Sequence, residues 1–367
     1  MGFREQASRV RRIVGIVLAV LLIGGVAVAV AVGRDTGDTS TATKTVRGVI
    51  GSEKAEFFAD PDVVKALAVK GFTVKAETSG SWAMDQLPLK GYDFAFPGSQ
   101  APADELRRRF SVEGGPLRPF YSPLVVVAHR GAARVLADNG LATLNGKAGG
   151  KLLMGPYLEA AREDRSWQQL KGSGKHAELT GTVFITSTDP VSSNSGALYL
   201  AAASYVADGG RVAADEAAID RTAPLLKKLI QVQGAQQTSS DAPFRDFISG
   251  VGNPLVLVYE SQVASLLMQK QEAGDLVLLY PDTTVSSDHT LVPLTGTGRQ
   301  LGELLSTDPE LRRLAVRHGF RPQGAAAEFA AATKGHTAYI DQQLTGVRQA
   351  PVPTATVLRA MAGRTRG

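Results

Sequence analysis

The segment 186–200, TSTDPVSSNSGALYL, joins two runs of opposite character near the middle of the chain. Before it, TVFI (182–185) is branched and apolar, which predicts a buried strand; after it, ALYLAAASYVA (197–207) predicts a helix. Four small polar residues stand where that helix should begin: Ser193, Asn194, Ser195 and Gly196. Because one such residue is enough to cap a helix, four in succession favour a cradle for a ligand, with a simple cap as the alternative.

Three earlier strand-like runs also end in small polar residues: VRGVI (46–50), FTVKAET (72–78) and YDFAF (92–96). The residues that follow them are Ser52 and Glu53, then Ser79, Gly80 and Ser81, then Gly98 and Ser99. In open parallel sheets a ligand lies beyond the carboxyl ends of the strands, where helix N-termini offer free N–H groups. These positions are therefore candidate ligand contacts, and an ordinary turn is the alternative for each of them.

Helical and strand-like segments alternate through most of the chain. DPDVVKALAVKG (60–71), for example, has an Asp cap, a Pro in the first turn and a terminal Gly, which together predict a helix. The runs YSPLVVVAHR (121–130) and PLVLVYESQ (254–262) predict strands of the buried type. Alternation of this kind predicts an α/β fold with a largely parallel sheet.

Length and composition exclude several classes of protein. At 367 residues the chain is long enough for two globular units. Its net charge of +5 comes largely from arginines near the two ends, so the near-neutral middle argues against a nucleic-acid-binding surface. The absence of cysteine from the sequence excludes disulfides, thiolate metal sites and a cysteine nucleophile.

The N-terminal segment predicts a membrane anchor. IVGIVLAVLLIGGVAVAVAVG (13–33) carries no charge and has about the 20 apolar residues that a membrane span needs. The arginines before it should remain cytoplasmic, which places the rest of the chain outside the cytoplasm. A long signal sequence that is cleaved after the small residues of 27–33 is the alternative.

Motifs for catalysis are weak. The five histidines form no H-x-x-x-H or H-E-x-x-H spacing, and SNSGA (193–197) is not the G-x-S-x-G elbow of esterases. GLATLNGKAGGK (140–151) lacks the spacing of a P-loop, and GVIGSEKAEFF (48–58) lacks that of a dinucleotide fingerprint. We therefore expect no enzyme, no metal site and no cofactor.

The order of these segments resembles the type 2 periplasmic-binding-protein fold of bacterial extracellular solute-binding proteins. The resemblance is carried by GSEKAEFF, ETSGSWAMDQL, YDFAFPGSQ, STDPVSSNSGALYLAAASYVA, LVLVYESQ and DPELRRLAVRHGFRP, in that order. It implies two α/β lobes joined by two crossing strands, near 118–130 and 286–294, with a ligand in the cleft between the lobes. Small polar residues of that cleft would bind a carboxylate or oxyanion without a metal.

The composition of the two ends, together with the two lobes that the resemblance implies, predicts a division of the chain. The expected parts are a cytoplasmic basic segment (1–12), a transmembrane anchor or long signal sequence (13–33), a flexible linker (34–45), lobe 1 (46–122 plus 289–349), lobe 2 (123–288) and a flexible basic tail (350–367).

Two further residues are candidates for the cleft. Trp82 would form an aromatic wall, and packing under its own loop is the alternative. Glu260 directly follows an apolar strand, so its burial requires a partner. That partner is either a ligand that carries an amine or a proton, or a structural group such as an arginine. Tyr259 should point to the opposite face of the strand, so we do not expect Tyr259 and Glu260 to line the same cleft.

These observations predict a membrane-anchored extracellular solute-binding protein that captures a small polar or anionic ligand. It would deliver the ligand to an ABC-type permease or another membrane protein, such as a sensor. The alternative is an adaptor of the same fold that binds no small molecule and acts through protein–protein contacts at the cell envelope. A hydrolase with an unrecognised site is a more distant third.

Overall fold

The computed structural model describes residues 43–366, so the predicted anchor (13–33) lies outside the described residues. Among the residues described, none of the helices combines the length and the apolar character that a membrane crossing requires. The strands are β1 (Lys44–Ile50), β2 (Phe72–Thr78), β3 (Phe94–Phe96), β4 (Leu117–His129), β5 (Ala142–Asn145), β6 (Gly149–Leu152), β7 (Leu255–Tyr259), β8 (Leu276–Pro281), β9 (Thr283–Thr284), β10 (Ser286–Pro293), β11 (Arg321–Pro322) and β12 (Arg348–Gln349).

The α-helices of residues 43–366 are numbered in chain order. They are α1 (Ala55–Ala59), α2 (Pro61–Val69), α3 (Gln100–Arg109), α4 (Arg130–Asp138), α5 (Met154–Arg162), α6 (Asn194–Ala207), α7 (Glu216–Gln231), α8 (Asp241–Ile248), α9 (Glu260–Met268), α10 (Gly296–Thr307), α11 (Pro309–Arg317), α12 (Ala326–Ala332) and α13 (Ala355–Thr365).

The first lobe is built on the parallel strands β2, β1 and β3, with β1 in the middle. Helices α1, α2, α10 and α11 cover one face through an aromatic core. Phe120 and Phe320 stack there with ring centroids 4.3 Å apart. The predicted cap of α2 is confirmed: the Asp60 carboxylate accepts hydrogen bonds from the N–H groups of Asp62 and Val63.

The second lobe is built on β7, β8, β6, β5 and the second half of β4. Only β6 and β8 pair in parallel; β4 is antiparallel to both β7 and β8, and β5 is antiparallel to β6. The largely parallel sheet that the sequence predicts is therefore found in the first lobe only. Helices α4 to α7 bury their apolar residues against one face of this sheet.

Strands β4 and β10 connect the lobes, as predicted for the segments near 118–130 and 286–294. The first half of β4 pairs with β10 from Pro123 to Leu117, and its second half pairs with β7 and β8. The last residues of β10 pair with β3 of the first lobe. β4 therefore runs from its pairing with β10 into the sheet of the second lobe, and β10 runs from the same pairing into the sheet of the first lobe.

The run TVFI (182–185) does not form the predicted strand. Val183 and Ile185 are buried, but the segment makes only isolated bridges: an antiparallel one between Thr182 and Ser166, and a parallel one just after it between Thr186 and Val256. The N–H of Ile185 donates to the Tyr157 hydroxyl (3.2 Å) instead of to a neighbouring strand. A side chain from α5 therefore takes the place of the strand partner.

The C-terminal third differs from the predicted division in two ways. Leu311, Leu314 and Phe320 pack in the first core, but Phe329 and Ile340 pack with Val125 and Val258 in the second lobe, so lobe 1 does not extend to 349. The predicted flexible tail is also wrong, because 355–365 forms α13. Val357, Leu358, Met361 and Ala362 bury its apolar face against the second lobe's main core.

Candidate functional site

The small polar run before α6 does not cap the helix in the expected way. Ser193 occupies the N-cap position, but its hydroxyl makes no hydrogen bond to the first turn of the helix. It lies 3.3 Å from the Ser195 hydroxyl, which lies 2.8 Å from the Thr188 hydroxyl. These buried hydroxyls are therefore satisfied by one another.

Asn194 joins the two lobes. Its Oδ1 accepts a hydrogen bond from Ser99 of the first lobe (2.5 Å), and its Nδ2 donates to the hydroxyls of Tyr259 (3.0 Å) and Ser287 (3.1 Å). Ser287, on the crossing strand β10, donates in turn to the carbonyl of Gly98. We call these five residues the Asn194 layer. The bond between Ser99 and Asn194 joins the first lobe to the second, and the bond between Asn194 and Ser287 joins the second lobe to a crossing strand.

Two glycines allow this close approach. A Cβ atom on Gly80 would lie 2.5 Å from the carbonyl oxygen of Ser192, and one on Gly98 would lie 2.7 Å from the Asn194 Nδ2. The Ser192 carbonyl also accepts from the N–H of Trp82 (3.1 Å). The first-lobe loops thus lie directly on the start of α6.

Gly80→Ala should loosen the contact between the lobes, because its methyl group would overlap the Ser192 carbonyl. Overpacking of this kind costs about 1–3 kcal/mol. Gly115→Ala is the matched control, since nothing lies within 4 Å of its Cβ position. The chain has no cysteine, so fluorophores on cysteines introduced at the exposed Val69 and Val232, one per lobe, report the distance between the lobes. An unchanged distance and unchanged stability in Gly80→Ala would contradict this account of the contact.

The other residues predicted near these loops have local roles in the structure. The Ser81 hydroxyl accepts a hydrogen bond from the N–H of Gly98 (2.9 Å), while the Ser79 hydroxyl donates to the carbonyl of Gly80 (3.3 Å). Gly196 packs against the Thr188 carbonyl, where a Cβ would lie 2.2 Å from the oxygen. Contact of these residues with a ligand stays a prediction.

A buried charged cluster lies beside the Asn194 layer. The Glu53 carboxylate pairs with the Lys54 ammonium group and lies 3.3 Å from the His289 Nδ1. The Lys54 Nζ is 3.2 Å from the same Nδ1 and 4.8 Å from the centre of the Phe96 ring. The His289 and Tyr259 rings are 5.7 Å apart. We call Glu53, Lys54 and His289 the charged cluster.

Burial and the neighbouring charges shift the pKa values of Glu53 and His289 in the charged cluster. Burial alone would raise the pKa of the Glu53 carboxyl, but Lys54 and His289 hold it well below its ordinary value. Burial, together with the nearby Lys54 ammonium group, lowers the pKa of His289 from 6.5 to about 4. The imidazole is therefore neutral near pH 7, and its Nε2 is buried without a hydrogen-bond partner in the described residues.

Sequence reasoning missed Lys54 and His289. Lys54 directly follows the two candidates at the end of β1, so its place in GSEK was a usable signal. His289 lies within a crossing strand whose partners come from distant parts of the chain. Its role could not be read from local spacing.

Glu260 is held by a structural partner, the second of the two alternatives for its burial. Its two carboxylate oxygens accept from the Nε and one terminal nitrogen of Arg321 (2.6 and 2.8 Å), and Tyr280 donates to it as well (2.5 Å). Tyr259 belongs to the Asn194 layer, so the two neighbouring residues do point to different sites. Any ligand contact by Glu260 would have to compete with this arginine.

Trp82 packs with the second lobe's main core, and its contact with a ligand stays a prediction. Its ring is 3% exposed, and the Arg359 guanidinium of α13 lies 5.0 Å from the ring centre. Arg359 also pairs with Asp85 (2.9 Å). Arg359 therefore ties the C-terminal helix to the first lobe, while the apolar face of that helix lies on the second lobe.

A groove of about 320 Å³ opens at the edge of the lobe boundary. The first lobe contributes residues from the end of β1 and from α1, and the second lobe contributes α8 and the start of α9. A hydrogen bond between the Ser239 and Ser52 hydroxyls (3.0 Å) crosses the boundary there. The lining includes Ser52, Glu53, Glu56, Asp241, Phe244, Arg245, Ser261, Gln262 and Leu266.

No protein-family model matches the chain, and no curated protein matches it. Solved structures of binding proteins, however, are similar to most of it. The sulfate-binding protein SubI from Mycobacterium tuberculosis H37Rv is 16% identical with a TM-score of 0.53, over 86% of this chain and 96% of that one. Iron-bound HitA from Pseudomonas aeruginosa is 11% identical with a TM-score of 0.55, over 88% and 99%. A periplasmic thiamin binding protein is 11% identical with a TM-score of 0.51, over 90% and 98%. At these identities the similarity establishes the fold alone.

Proposed function

We propose that this chain, which has the fold of the periplasmic substrate-binding proteins, acts outside the cytoplasm as a solute-binding protein. Its two lobes close around a small polar ligand, and the closed form presents that ligand to a membrane partner such as an ABC-type permease or a sensor. The apolar segment 13–33 would hold the protein at the membrane.

The Asn194 layer is the observation that carries this proposal. Its members come from the strand-end loop of the first lobe, from a crossing strand, and from the strand end and helix start of the second lobe. Such a layer can exchange its internal hydrogen bonds for bonds to a ligand when the lobes separate and close again. Hinge movement at the crossing strands would then couple binding to closure.

A thermal-shift screen of the purified chain tests the proposal. Sulfate, phosphate, molybdate, amino acids, small peptides and simple amines are the compounds to compare. A ligand at about 100 times its dissociation constant should add about 2.7 kcal/mol to the free energy of unfolding. The distance between labels at positions 69 and 232 should shorten, or become more uniform, with the same compound.

Asn194→Ala should weaken the binding of any compound found in that screen at least tenfold. The variant removes the donors and the acceptor that join the lobes, and it leaves the hydroxyls of Ser99 and Ser287 with fewer partners. Isothermal titration of the variant measures the loss. Asn139→Ala, which breaks hydrogen bonds far from the boundary, is the control. Equal affinity in Asn194→Ala and the wild type would remove the layer from the ligand site.

The adaptor function is the second candidate, and the direct contact of the loops favours it. Gly80 and Gly98 lie on the start of α6 so closely that neither position has room for a Cβ. A chain that acts as an adaptor would keep this contact permanently. Failure of every small molecule in the screen, together with a constant distance between the labels, would support the adaptor and overturn the proposed function.

A further inference from the structure

Asp241 is a half-buried carboxylate on one wall of the groove. It begins α8 on the second-lobe side of the groove, and its Oδ1 accepts from the Gln262 side chain (2.9 Å). Among residues 43–366, no Lys, Arg or His nitrogen lies within the 4.0 Å limit of an ion pair with it. Burial raises the pKa of Asp241, and the nearby Glu53 carboxylate raises it further. Arg245 and Lys54 are close enough to interact with Asp241 electrostatically, but neither forms an ion pair with it.

Ser261 provides a second, independent sign of a missing partner. The residue lines the same groove and is 2% exposed, yet its hydroxyl has no hydrogen-bond partner among the described residues. Its N–H is already held by the Ser122 hydroxyl (2.9 Å), so its position is fixed. A buried polar group left unpaired costs about 1–3 kcal/mol. A donor from a ligand would remove that cost.

The remaining lining defines which ligand fits. Glu56 is an exposed carboxylate on the opposite, first-lobe wall, and Phe244 and Leu266 supply an apolar surface. Arg245 is the positively charged residue of the rim and is exposed to solvent. The Asp241 Oδ2 also accepts a hydrogen bond from the Ser239 hydroxyl (3.4 Å), but the carboxylate has no ion-pair partner among the described residues. An ammonium group has three donors and no acceptor, which matches such a carboxylate and an unpaired hydroxyl in the same groove.

We propose that this groove binds a small organic cation whose ammonium group pairs with Asp241 and donates to Ser261. The carbon chain of the ligand lies along Phe244 and Leu266, and Glu56 strengthens the attraction from the first lobe. Contact with both walls makes the cation a ligand of the closed form. The inference rests on the proposed function and specifies the class of solute.

Isothermal titration of the full chain with 1,4-diaminobutane and with 2-aminoethanol, whose primary ammonium groups can donate to Ser261, tests the inference. We expect at least one of these cations to bind, and Asp241→Asn to weaken that binding at least tenfold. Asp246→Asn, an exposed carboxylate on the same helix outside the groove, should change it by less than twofold. Absence of binding by both cations, or an equal loss in the two variants, would overturn the inference.

Ser261→Ala separates a ligand contact from a structural role. The variant should lower the affinity for the cation severalfold. It should leave the ligand-free protein as stable as the wild type or more stable, because an unpaired buried hydroxyl is removed. Arg245→Ala should leave the affinity unchanged or raise it, since a like charge is lost. Weaker cation binding by Arg245→Ala, or unchanged cation binding by Ser261→Ala, would contradict the proposed contacts.

Inorganic phosphate separates this inference from the function on which it depends. If phosphate binds and Asn194→Ala abolishes that binding, while neither cation binds, the solute-binding function stands and the cation inference fails. If the cations, phosphate and every other compound of the thermal-shift screen all fail to bind, both fail.

Discussion

Arg321→Met should lower the free energy of unfolding by about 3–5 kcal/mol, because it leaves the Glu260 carboxylate buried without its cation. Both residues of the pair are almost fully buried, and the guanidinium also donates to the carbonyls of Asp341 and Gln342 (2.7 and 2.8 Å). Methionine keeps much of the length of the arginine side chain but none of its donors. Urea denaturation followed by circular dichroism measures the change.

Two controls define the cause of this loss. Glu260→Gln combined with Arg321→Met should recover part of the stability, because the unpaired charge is then absent. Arg364→Met breaks an exposed pair with Glu216 and Asp220 on α7, and it should cost less than about 1 kcal/mol. A loss in Arg321→Met no larger than that of Arg364→Met would show that the buried pair does not stabilise the fold.

Acidification should destabilise the protein through His289. Its pKa is about 4 in the folded chain against 6.5 ordinarily, so between these values the unfolded chain binds the proton and the folded chain does not. Stability therefore falls as the pH decreases from about 6.5 to about 4. The difference in pKa corresponds to about 3 kcal/mol over that range. Below pH 4.5 the depressed pKa of Glu53 adds a further loss in the same direction.

His289→Gln isolates this contribution. The variant should show a flatter dependence of the free energy of unfolding on pH between 6.5 and 4.5, measured by urea denaturation at a series of pH values. His176→Gln, at a half-buried position remote from the charged cluster, should keep the slope of the wild type. Parallel pH profiles for His289→Gln and the wild type would contradict the depressed pKa.

Local sequence signals predicted those helices and strands whose bounds are set by neighbouring residues in the chain. Asp60 and Pro61 specify the start of α2, and the long branched run in β4 specifies a buried crossing strand. The resemblance in the order of segments predicted the periplasmic-binding-protein fold, which the solved structures confirm. Ligand binding by the candidate residues stays a prediction.

Features that depend on distant partners could not be predicted. TVFI has the composition of a strand, but the Tyr157 hydroxyl takes the hydrogen bond that a strand would need. Glu260 required a partner, yet nothing near it in the sequence indicates Arg321, which is 61 residues away. The prolines of 350–353 indicated a loose C-terminal tail. The helix α13 could not be predicted there, because its apolar face is buried only through contact with α6 and α7, which are far away in the sequence.

The position of α13 in the chain affects the order in which the protein can fold during synthesis. The main core of the second lobe includes Leu124 and Met361, so that core is incomplete until the ribosome has released residue 361 and its neighbours. The first lobe's core, by contrast, is complete at Phe320. We therefore expect a nascent chain that has emerged only to residue 350 to protect the first lobe from proteolysis while the second lobe is still degraded.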